Sequence, residues 1–439
     1  VPATLLTKDI DNIITPDNSN TLIIGNTLTI NSNATLFDSI KDSSINDNDV
    51  LNISTNSWPL TALTTPAGTT KAISIDSIET INLTALDNIN VDMSAIKNAK
   101  LFNLKDSTAP VTLWSISDAT MDLGLSGSLV NDLNAKYKTG LVKTTDTLNV
   151  TLDNATNASL VVTSDKPFGF ATMNIIGTSS LKLFDASNAT PLLSTLTISG
   201  NGALTVQSNA LKYIQDIELS NTNVIKFGTI GDPTAQSSYP YLTTFKAPTN
   251  TGGITTGLIQ GATGGFTMQL GSGTDNVTVK DNTAASTDTN DIRLGAGNDS
   301  LTFTKGANGN TYISGEDGND TINIGGVSSS ASSINTIDGG NGDDKITVSV
   351  SGSYLISGGA GSDVITDGAG SNVIDGGADA DTITGGAGND TITGGTGSDT
   401  IYVDSGTDTI TDFKVGEDTL IISSGATAKV SFAGNLSLI

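Results

Sequence analysis

The chain contains no cysteine and no histidine, and it has one arginine, Arg293, among 439 residues. Without cysteine it forms no disulfide and supports no thiol catalysis. Without histidine these residues hold neither a Ser-His-Asp triad nor a histidine-bound catalytic zinc. A single guanidinium leaves a phosphoryl-transfer enzyme or a polysaccharide lyase short of its usual electrophile.

Glutamate is also scarce, with Glu79, Glu218, Glu316 and Glu417 the only four. None of them has a neighbour that suggests catalysis. Aspartate is abundant, so counting alone leaves the paired carboxylates of a glycosidase open. Turn or metal-ligand roles explain the aspartates after residue 270 better, and we expect no enzymatic activity from this sequence.

Basic residues are few as well: 20 lysines and arginines stand against 45 acidic residues, for a net charge of −25. From residue 270 onward there are 23 acidic and 6 basic residues. Such a segment repels itself unless cations neutralise it, and it argues against binding nucleic acid. No apolar run approaches the roughly 18 residues that a membrane-spanning helix needs.

The most informative feature present is a nine-residue repeat. Residues 358–366 read GGAGSDVIT, 385–393 read GGAGNDTIT and 394–402 read GGTGSDTIY. The two nonapeptides between them keep the frame, with Asn372 in the aspartate position and Asp379 in the third-glycine position. The pattern G-G-x-G-x-D-x-U-x is a calcium-binding repeat. Its glycines permit positive φ, and its aspartates and turn carbonyls supply the hard oxygen ligands that Ca²⁺ prefers.

One apolar residue of each nonapeptide should face the interior of a coil. The isoleucines at these positions are nine residues apart and should stack into one thin core: Ile365, Ile374, Ile383, Ile392, Ile401 and Ile410. A flexible Gly/Asp-rich linker, the alternative that composition allows, has no reason to keep an apolar position. We therefore predict a parallel β-roll.

Two nonapeptides per coil would place alternate repeats on the same edge. Asp363, Asp381 and Asp399 then form one ladder, and Asn372, Asp390 and Asp408 form the other, with calcium between successive rungs. Isolated upstream copies carry Asp275, Asp299, Asp320 and Asp344, whose spacings up to Asp363 are 24, 21, 24 and 19 residues. The solenoid is predicted to start near residue 265, with calcium on one edge at first and on both edges after 358. The complete set of predicted calcium-site residues is Asp275, Asp299, Asp317, Asp320, Asp344, Asp363, Asn372, Asp381, Asp390, Asp399, Asp408, Gly340, Gly342, Gly359, Gly361, Gly377, Gly386, Gly388, Gly395 and Gly397.

The first 250 residues alternate threonine or asparagine with Leu, Ile or Val, as in TINLT at 80–84 and LNVTL at 148–152. Period-two alternation indicates half-buried strands. A β-sandwich and a calcium-poor solenoid both fit this pattern. A helix is predicted from Ser128, as N-cap, to Gly140, just past the C-terminus.

The repeats resemble those of RTX proteins, which Gram-negative bacteria export by type I secretion. The stretch DTITDF at 408–413, followed by GEDTL at 416–420, is similar to the cap that follows many RTX arrays. Thr/Asn-rich segments such as 77–84 and 195–205 are similar to the body of RTX surface-layer (S-layer) proteins. That resemblance implies a self-assembling cell-surface lattice built with several Ca²⁺ ions and no membrane span. It also implies anchoring to surface polysaccharide or lipopolysaccharide through an N-terminal domain.

Because 37 of the 48 glycines lie in 251–439, we predict a boundary near residue 250. The RTX β-roll then spans 251–425, and the resemblance implies a β-rich surface-layer body over 1–250. A cap and secretion-signal tail would follow over 426–439. The sequence opens Val-Pro-Ala-Thr without an initiator methionine, and we expect it to be part of a longer chain. The alternatives to a surface-layer protein are an RTX adhesin, or the secretion domain of a larger RTX exoenzyme.

Overall fold

In both units the described β-strands, apart from one short antiparallel pair, pair in parallel with strands of the neighbouring coils. Clustering of contacts divides the chain into unit 1, Val1–Ile214, and unit 2, Gln215–Ile439. Within the described residues no helix has the length and apolar character needed to cross a membrane. The computed structural model describes residues 21–23, 27–31, 39–41, 50–55, 63–64, 70–71, 74–76, 78–129, 132–166, 168–185, 193–207, 214–230, 242–260, 264–280, 289–305, 309–326 and 333–432.

Unit 1 is a parallel β-solenoid with two main sheets. Sheet 1A contains Thr27–Asn31, Val50–Thr55, Thr80–Ala85, Leu101–Lys105, Asp122–Ser128, Thr147–Thr156, Phe170–Ile176 and Leu193–Gly200. Sheet 1B contains Ile89–Asp92, Val111–Ile116, Leu133–Tyr137, Ala158–Thr163, Ser179–Asp185 and Leu204–Val206. Smaller elements are the parallel strands Thr21–Ile23, Ser39–Lys41, Ser74–Asp76 and Ile96–Lys97, the antiparallel pair Leu63–Thr64 and Thr70–Lys71, and the 3-10 turn Met93–Ala95.

The core of unit 1 consists of apolar rows in strict register. Phe102 aligns with Leu123, Leu123 with Val150, Val150 with Met173 and Met173 with Ile198. All five side chains are buried. Within each strand, side chains two residues apart point to the same face, so the in-register pairing stacks the inward-facing residues of successive strands. This in-register parallel pairing decides between the two predicted alternatives in favour of the solenoid.

The predicted helix from Ser128 to Gly140 is wrong. Ser128 ends one strand, and Leu133–Tyr137 forms another. In that second strand Leu133, Ala135 and Tyr137 are buried while the residues between them are partly exposed, so the period of two prevailed over the capping signals. Gly140 lies in a turn with a φ of 79°, a role that a glycine fills as readily as a helix end.

Unit 2 is also a parallel β-solenoid. Sheet 2A contains Ile214–Leu219, Thr244–Lys246, Thr267–Gln269, Thr289–Arg293, Asn310–Asp317, Asn335–Asn341, Tyr354–Ala360, Val373–Ala378, Thr391–Thr396, Ser405–Phe413 and Thr427–Phe432. Sheet 2B contains Ile225–Phe227, Ile254–Gln260, Asn276–Lys280, Ser300–Lys305, Thr321–Gly326, Lys345–Val348, Val364–Thr366, Thr382–Thr384, Thr400–Val403 and Thr419–Ile422. The short strands Ser351–Gly352, Ala369–Gly370 and Ala387–Gly388 form sheet 2C with part of Ser405–Phe413.

The predicted isoleucine core is confirmed. Ile365, Ile383 and Ile401 align in sheet 2B, and the other three align in sheet 2A. All six have 0% exposure. One buried side chain per short strand is therefore enough to fill the space between the sheets.

The predicted start of the solenoid near residue 265 is wrong. Parallel pairs already join Ile225 to Ile254 and Phe245 to Met268. These earlier coils have no glycine–aspartate turn, so the nine-residue pattern does not predict them. The glycine-rich part of the sequence begins inside unit 2, because the division between the two compact units lies after Ile214.

Candidate metal centre

A row of buried aspartates, ladder 1, follows one edge of unit 2. From Asp299 onward each Oδ1 accepts a hydrogen bond from the backbone N–H of the aspartate one coil earlier, at 2.7–3.0 Å. At the first rung, Oδ1 of Asp275 accepts from the N–H of Ile254 at 2.5 Å. The side chains are at most 3% exposed. From Asn276–Lys280 to Thr400–Val403, the position just before each strand of sheet 2B thus carries a carboxylate. The members of ladder 1 are Asp275, Asp299, Asp320, Asp344, Asp363, Asp381 and Asp399.

A second row, ladder 2, consists of Asn372, Asp390 and Asp408. The Oδ1 atom of Asn372 accepts from the backbone N–H of Tyr354 at 2.8 Å. The N–H groups of Asn372 and Asp390 donate to Oδ1 of the next rung, each at 2.9 Å. Residues 18 apart are therefore neighbours, which is the arrangement expected for two nonapeptides per coil.

The second oxygen of each ladder aspartate, Oδ2, is buried without a hydrogen-bond partner. In six of the ladder aspartates it lies beside the first glycine of the same nonapeptide: Asp320, Asp344, Asp363, Asp381, Asp390 and Asp399. A Cβ on Gly358 would lie 2.3 Å from Oδ2 of Asp363, and one on Gly376 would lie 2.5 Å from Oδ2 of Asp381. Burying a carboxylate oxygen without a hydrogen-bond partner costs free energy. A bound cation would remove this cost, so the Oδ2 atoms are candidate cation ligands.

Backbone carbonyl oxygens converge on the same places. The carbonyl oxygen of Gly376 lies 2.5 Å from the position that a Cβ of Gly358 would take, and that of Gly394 lies 2.6 Å from the position for Gly376. Each gap is therefore bordered by a carboxylate oxygen from one coil and a carbonyl oxygen from the next. Any side chain on these glycines would fill it.

Burial shifts the titration of the ladders. Removal from water raises the pKa of Asp275, Asp299, Asp320, Asp344 and Asp381 to about 7. It raises the pKa of Asp363 and Asp390 to about 6, and it also raises those of Asp399 and Asp408. Charges of nearby carboxylates add to the rise in most of the ladder, while the backbone hydrogen bond to Oδ1 opposes it. The ladders hold negative charge at neutral pH only at a free-energy cost.

This donor set fits Ca²⁺. All available ligands are carboxylate and carbonyl oxygens, which suit hard cations, and Ca²⁺ tolerates the irregular six- to eight-fold coordination that such turns offer. Among the described residues no three acidic side chains converge on one point. A bound ion would therefore take most of its ligands from turn carbonyls, with Oδ2 atoms supplying the negative charge.

The predicted glycines lie at strand ends or in the turns that follow them, and not in the ladders. Gly340, Gly342, Gly359, Gly361, Gly377, Gly386, Gly388, Gly395 and Gly397 all have φ between 74° and 148°. A Cβ on Gly377 would lie 2.0 Å from the carbonyl oxygen of Gly359 in the previous coil. These glycines are needed for the close stacking of turns. Glu316 and Asp379 each stand where the repeat usually has a glycine, and they keep its positive φ, at 73° and 79°.

The structure places one predicted ligand, Asp317, outside the ladders. Its side chain is exposed, and Oδ1 accepts a hydrogen bond from Nδ2 of Asn341 at 2.7 Å. It lies in the third position of its nonapeptide, whose side chain points away from the coil interior. The remaining predicted aspartates and Asn372 lie in ladder 1 or ladder 2.

Sequence reasoning missed three acidic residues at the edges. Asp418 ends ladder 1, because its two oxygens accept from the N–H groups of Asp399 at 3.2 Å and Lys414 at 2.7 Å. Asp412 likewise accepts from Gly394 and Gly395. The spacing of 19 residues from Asp399 to Asp418 was a usable signal. The third residue, Asp367, is buried against Asn372.

A protein-family model of the RTX calcium-binding nonapeptide repeat matches four stretches, residues 305–325, 332–348, 355–383 and 375–410. Each of these stretches carries both turn glycines and ladder residues. The chain carries RTX calcium-binding repeats. No curated protein matches the sequence of this chain. RTX repeats indicate an extracellular, secreted, calcium-binding protein, and the matched part of unit 2 is an RTX β-roll.

Proposed function

We propose that this RTX protein is a structural component of the bacterial cell surface. It is exported by type I secretion and assembles with calcium into a two-dimensional S-layer lattice. Its role is structural and not catalytic. The proposed partners are further copies of the chain and a cell-surface polysaccharide or lipopolysaccharide.

The observation that carries the calcium-dependent part is the unpartnered Oδ2 atom on each ladder aspartate. Extracellular calcium modules bind at about 10⁻⁴–10⁻³ M. An ion at about ten times its dissociation constant adds roughly 1.4 kcal/mol per site to the stability of the folded state. At cytosolic calcium that contribution vanishes while the buried charge remains, so the roll would fold after export.

Side-chain hydrogen bonds on sheet 1A of unit 1 favour the proposed S-layer lattice. In sheet 1A, Asn82 donates from Nδ2 to Oδ1 of Asn52 at 2.8 Å, and Asn103 donates to Asn82 at 3.0 Å. Asn149 donates to Asp122 at 3.0 Å in a neighbouring row. Ordered amide rows repeat the same hydrogen-bonding groups from strand to strand, which suits contact with a second regular surface. A catalytic site would need one distinctive cluster instead.

Electron microscopy tests the proposal. The full chain is refolded from denaturant with calcium at about 10⁻³ M, in the range of extracellular modules, and separately with magnesium or with chelator. Ordered sheets are expected in the calcium sample and not in the samples with magnesium or chelator. Monomers at high protein concentration in calcium would contradict a lattice and favour an adhesin or a secretion domain.

A further inference from the structure

The nonapeptide 367–375 departs from the repeat at two positions together. Its first residue is Asp367 where 358–366 and 376–384 have glycine, and its sixth is Asn372 where they have Asp363 and Asp381. The repeat has therefore exchanged a glycine and a carboxylate for a carboxylate and an amide. The two changed residues are in contact, since Nδ2 of Asn372 donates to Oδ2 of Asp367.

The exchange follows from the geometry of the other coils. There, a Cβ on the first residue would collide with the unpartnered Oδ2 of the sixth, as for Gly358 and Asp363 at 2.3 Å. In 367–375 the atom in that place is an amide nitrogen, which donates to the newly present carboxylate. Asn372 still accepts and donates the backbone hydrogen bonds of ladder 2 through Oδ1 and N–H.

The exchange leaves a buried oxygen without a partner. Asp367 is 4% exposed, and its Oδ1 makes no hydrogen bond in the described structure. Asp390, the next rung of ladder 2, also has an unpartnered Oδ2. Burial is the main cause that raises the pKa of Asp367, and the charge of Asp390 adds to the rise, while the backbone N–H of Gly368 and the amide of Asn372 oppose it.

Carbonyl oxygens surround the same turn. Those of Asp367 and Gly368 lie 2.5 Å and 2.6 Å from the position that a Cβ of Gly386 would take. Oδ2 of Asp390 lies 3.1 Å from the position that a Cβ of the adjacent Gly385 would take. These turn residues thus carry two unpartnered carboxylate oxygens and two backbone carbonyl oxygens. An amide–carboxylate pair that replaced calcium outright would have no need of a further unpartnered oxygen.

We propose that Asp367 supplies the carboxylate ligand for calcium at the first rung of ladder 2, in place of the aspartate that Asn372 has lost. Asn372 is a positioning residue that fixes Asp367 through its amide. The ligand has moved five residues within one nonapeptide and the rung keeps its ion. This inference rests on calcium binding by the repeats.

Calcium titration calorimetry of the full chain tests this assignment with three variants. Asp367→Asn should bind one calcium fewer than the wild type. Asp375→Asn, which removes an exposed carboxylate of the same repeat, should bind the wild-type number. The double variant Asp367→Gly with Asn372→Asp restores the usual repeat and should also bind the wild-type number, with circular dichroism as the check on folding.

Two results would overturn the assignment. One is an unchanged calcium number and affinity in a folded Asp367→Asn variant. The other is one extra calcium in the double variant, which would mean that the wild-type rung is metal-free, and this comparison holds even if Asp367→Asn fails to fold. A wild-type chain that binds no calcium would instead refute calcium binding itself.

Discussion

At the scale of single residues, calcium dependence rests on the two oxygens of each ladder aspartate. Oδ1 of Asp381 is satisfied by the N–H of Asp363 at 2.8 Å, while Oδ2 has no protein partner. Oδ1 accepts a backbone hydrogen bond that joins two coils, and Oδ2 is available to bind a cation. A carboxamide would keep the first role and lose the second, which makes the two roles separable by mutation.

We predict opposite effects of Asp381→Asn with and without calcium. In saturating calcium the variant should be less stable by about 1.4 kcal/mol or more, the contribution of one site at tenfold excess of ligand. Without calcium it should be more stable than the wild type, because a buried charge is removed. Thermal unfolding followed by circular dichroism measures both, with Asp375→Asn as control, and a loss in both conditions would refute the prediction.

The raised pKa values predict an unusual pH dependence without calcium. The folded-state pKa of Asp275, Asp344 and Asp381 is about 7, against an ordinary value of 3.8. Between these values the folded chain holds more protons, so its free energy of unfolding falls as pH rises. The calcium-free protein should resist urea better at about pH 5 than at about pH 8. A midpoint that rises with pH in calcium-free buffer would be inconsistent with buried, unpaired ladders.

At the scale of the coil, glycine turns and amide turns solve the same problem in different ways. Calcium coils leave carboxylate and carbonyl oxygens for an ion. In the earlier coils of unit 2, Nδ2 of buried Asn250 donates to the carbonyl oxygens of Asn221 at 2.9 Å and Asn223 at 2.8 Å. At this turn the Asn250 amide, and not a cation, contacts the carbonyl oxygens.

Asn250→Asp should therefore destabilise the chain in calcium-free buffer. The change removes two donors and faces a carboxylate toward carbonyl oxygens, and each lost partner costs about 1–3 kcal/mol. Asn276→Asp, at an exposed position in the next coil, should have little effect. Chemical denaturation compares the two variants, and equal stabilities would show that the Asn250 amide does not hold the turn.

Stacking of the glycine turns gives a separate prediction. A Cβ on Gly377 would lie 2.0 Å from the carbonyl oxygen of Gly359, whereas Gly425 has open space around it at a φ of 90°. Gly425→Ala should cost about 1–2 kcal/mol for its backbone conformation alone. Gly377→Ala should cost clearly more, because the coils must also move apart. Equal losses in thermal unfolding would mean that the turns are not closely stacked.

At the scale of the whole molecule, the sequence predicts the coils with a repeat and misses those without one. Six isoleucines nine residues apart predicted both the core and the two ladders, since a fixed period carries register along the chain. Unit 1 has no such period, and its coil lengths vary, so a sandwich and a solenoid remained equally compatible. The sequence shows Asn372 in the aspartate position, but only the structure shows that its amide contacts Asp367.

The ladder coils of unit 2 depend on bound calcium, whereas the coils of unit 1 do not. Hydrogen exchange on the full chain tests this difference most directly. Removing calcium at neutral pH should abolish protection of Val364–Thr366, Thr382–Thr384 and Thr400–Val403. Leu101–Lys105 and Thr147–Thr156 of unit 1 should keep theirs, because their packing involves no ladder. Full protection of the ladder strands after calcium removal would contradict a calcium-built roll.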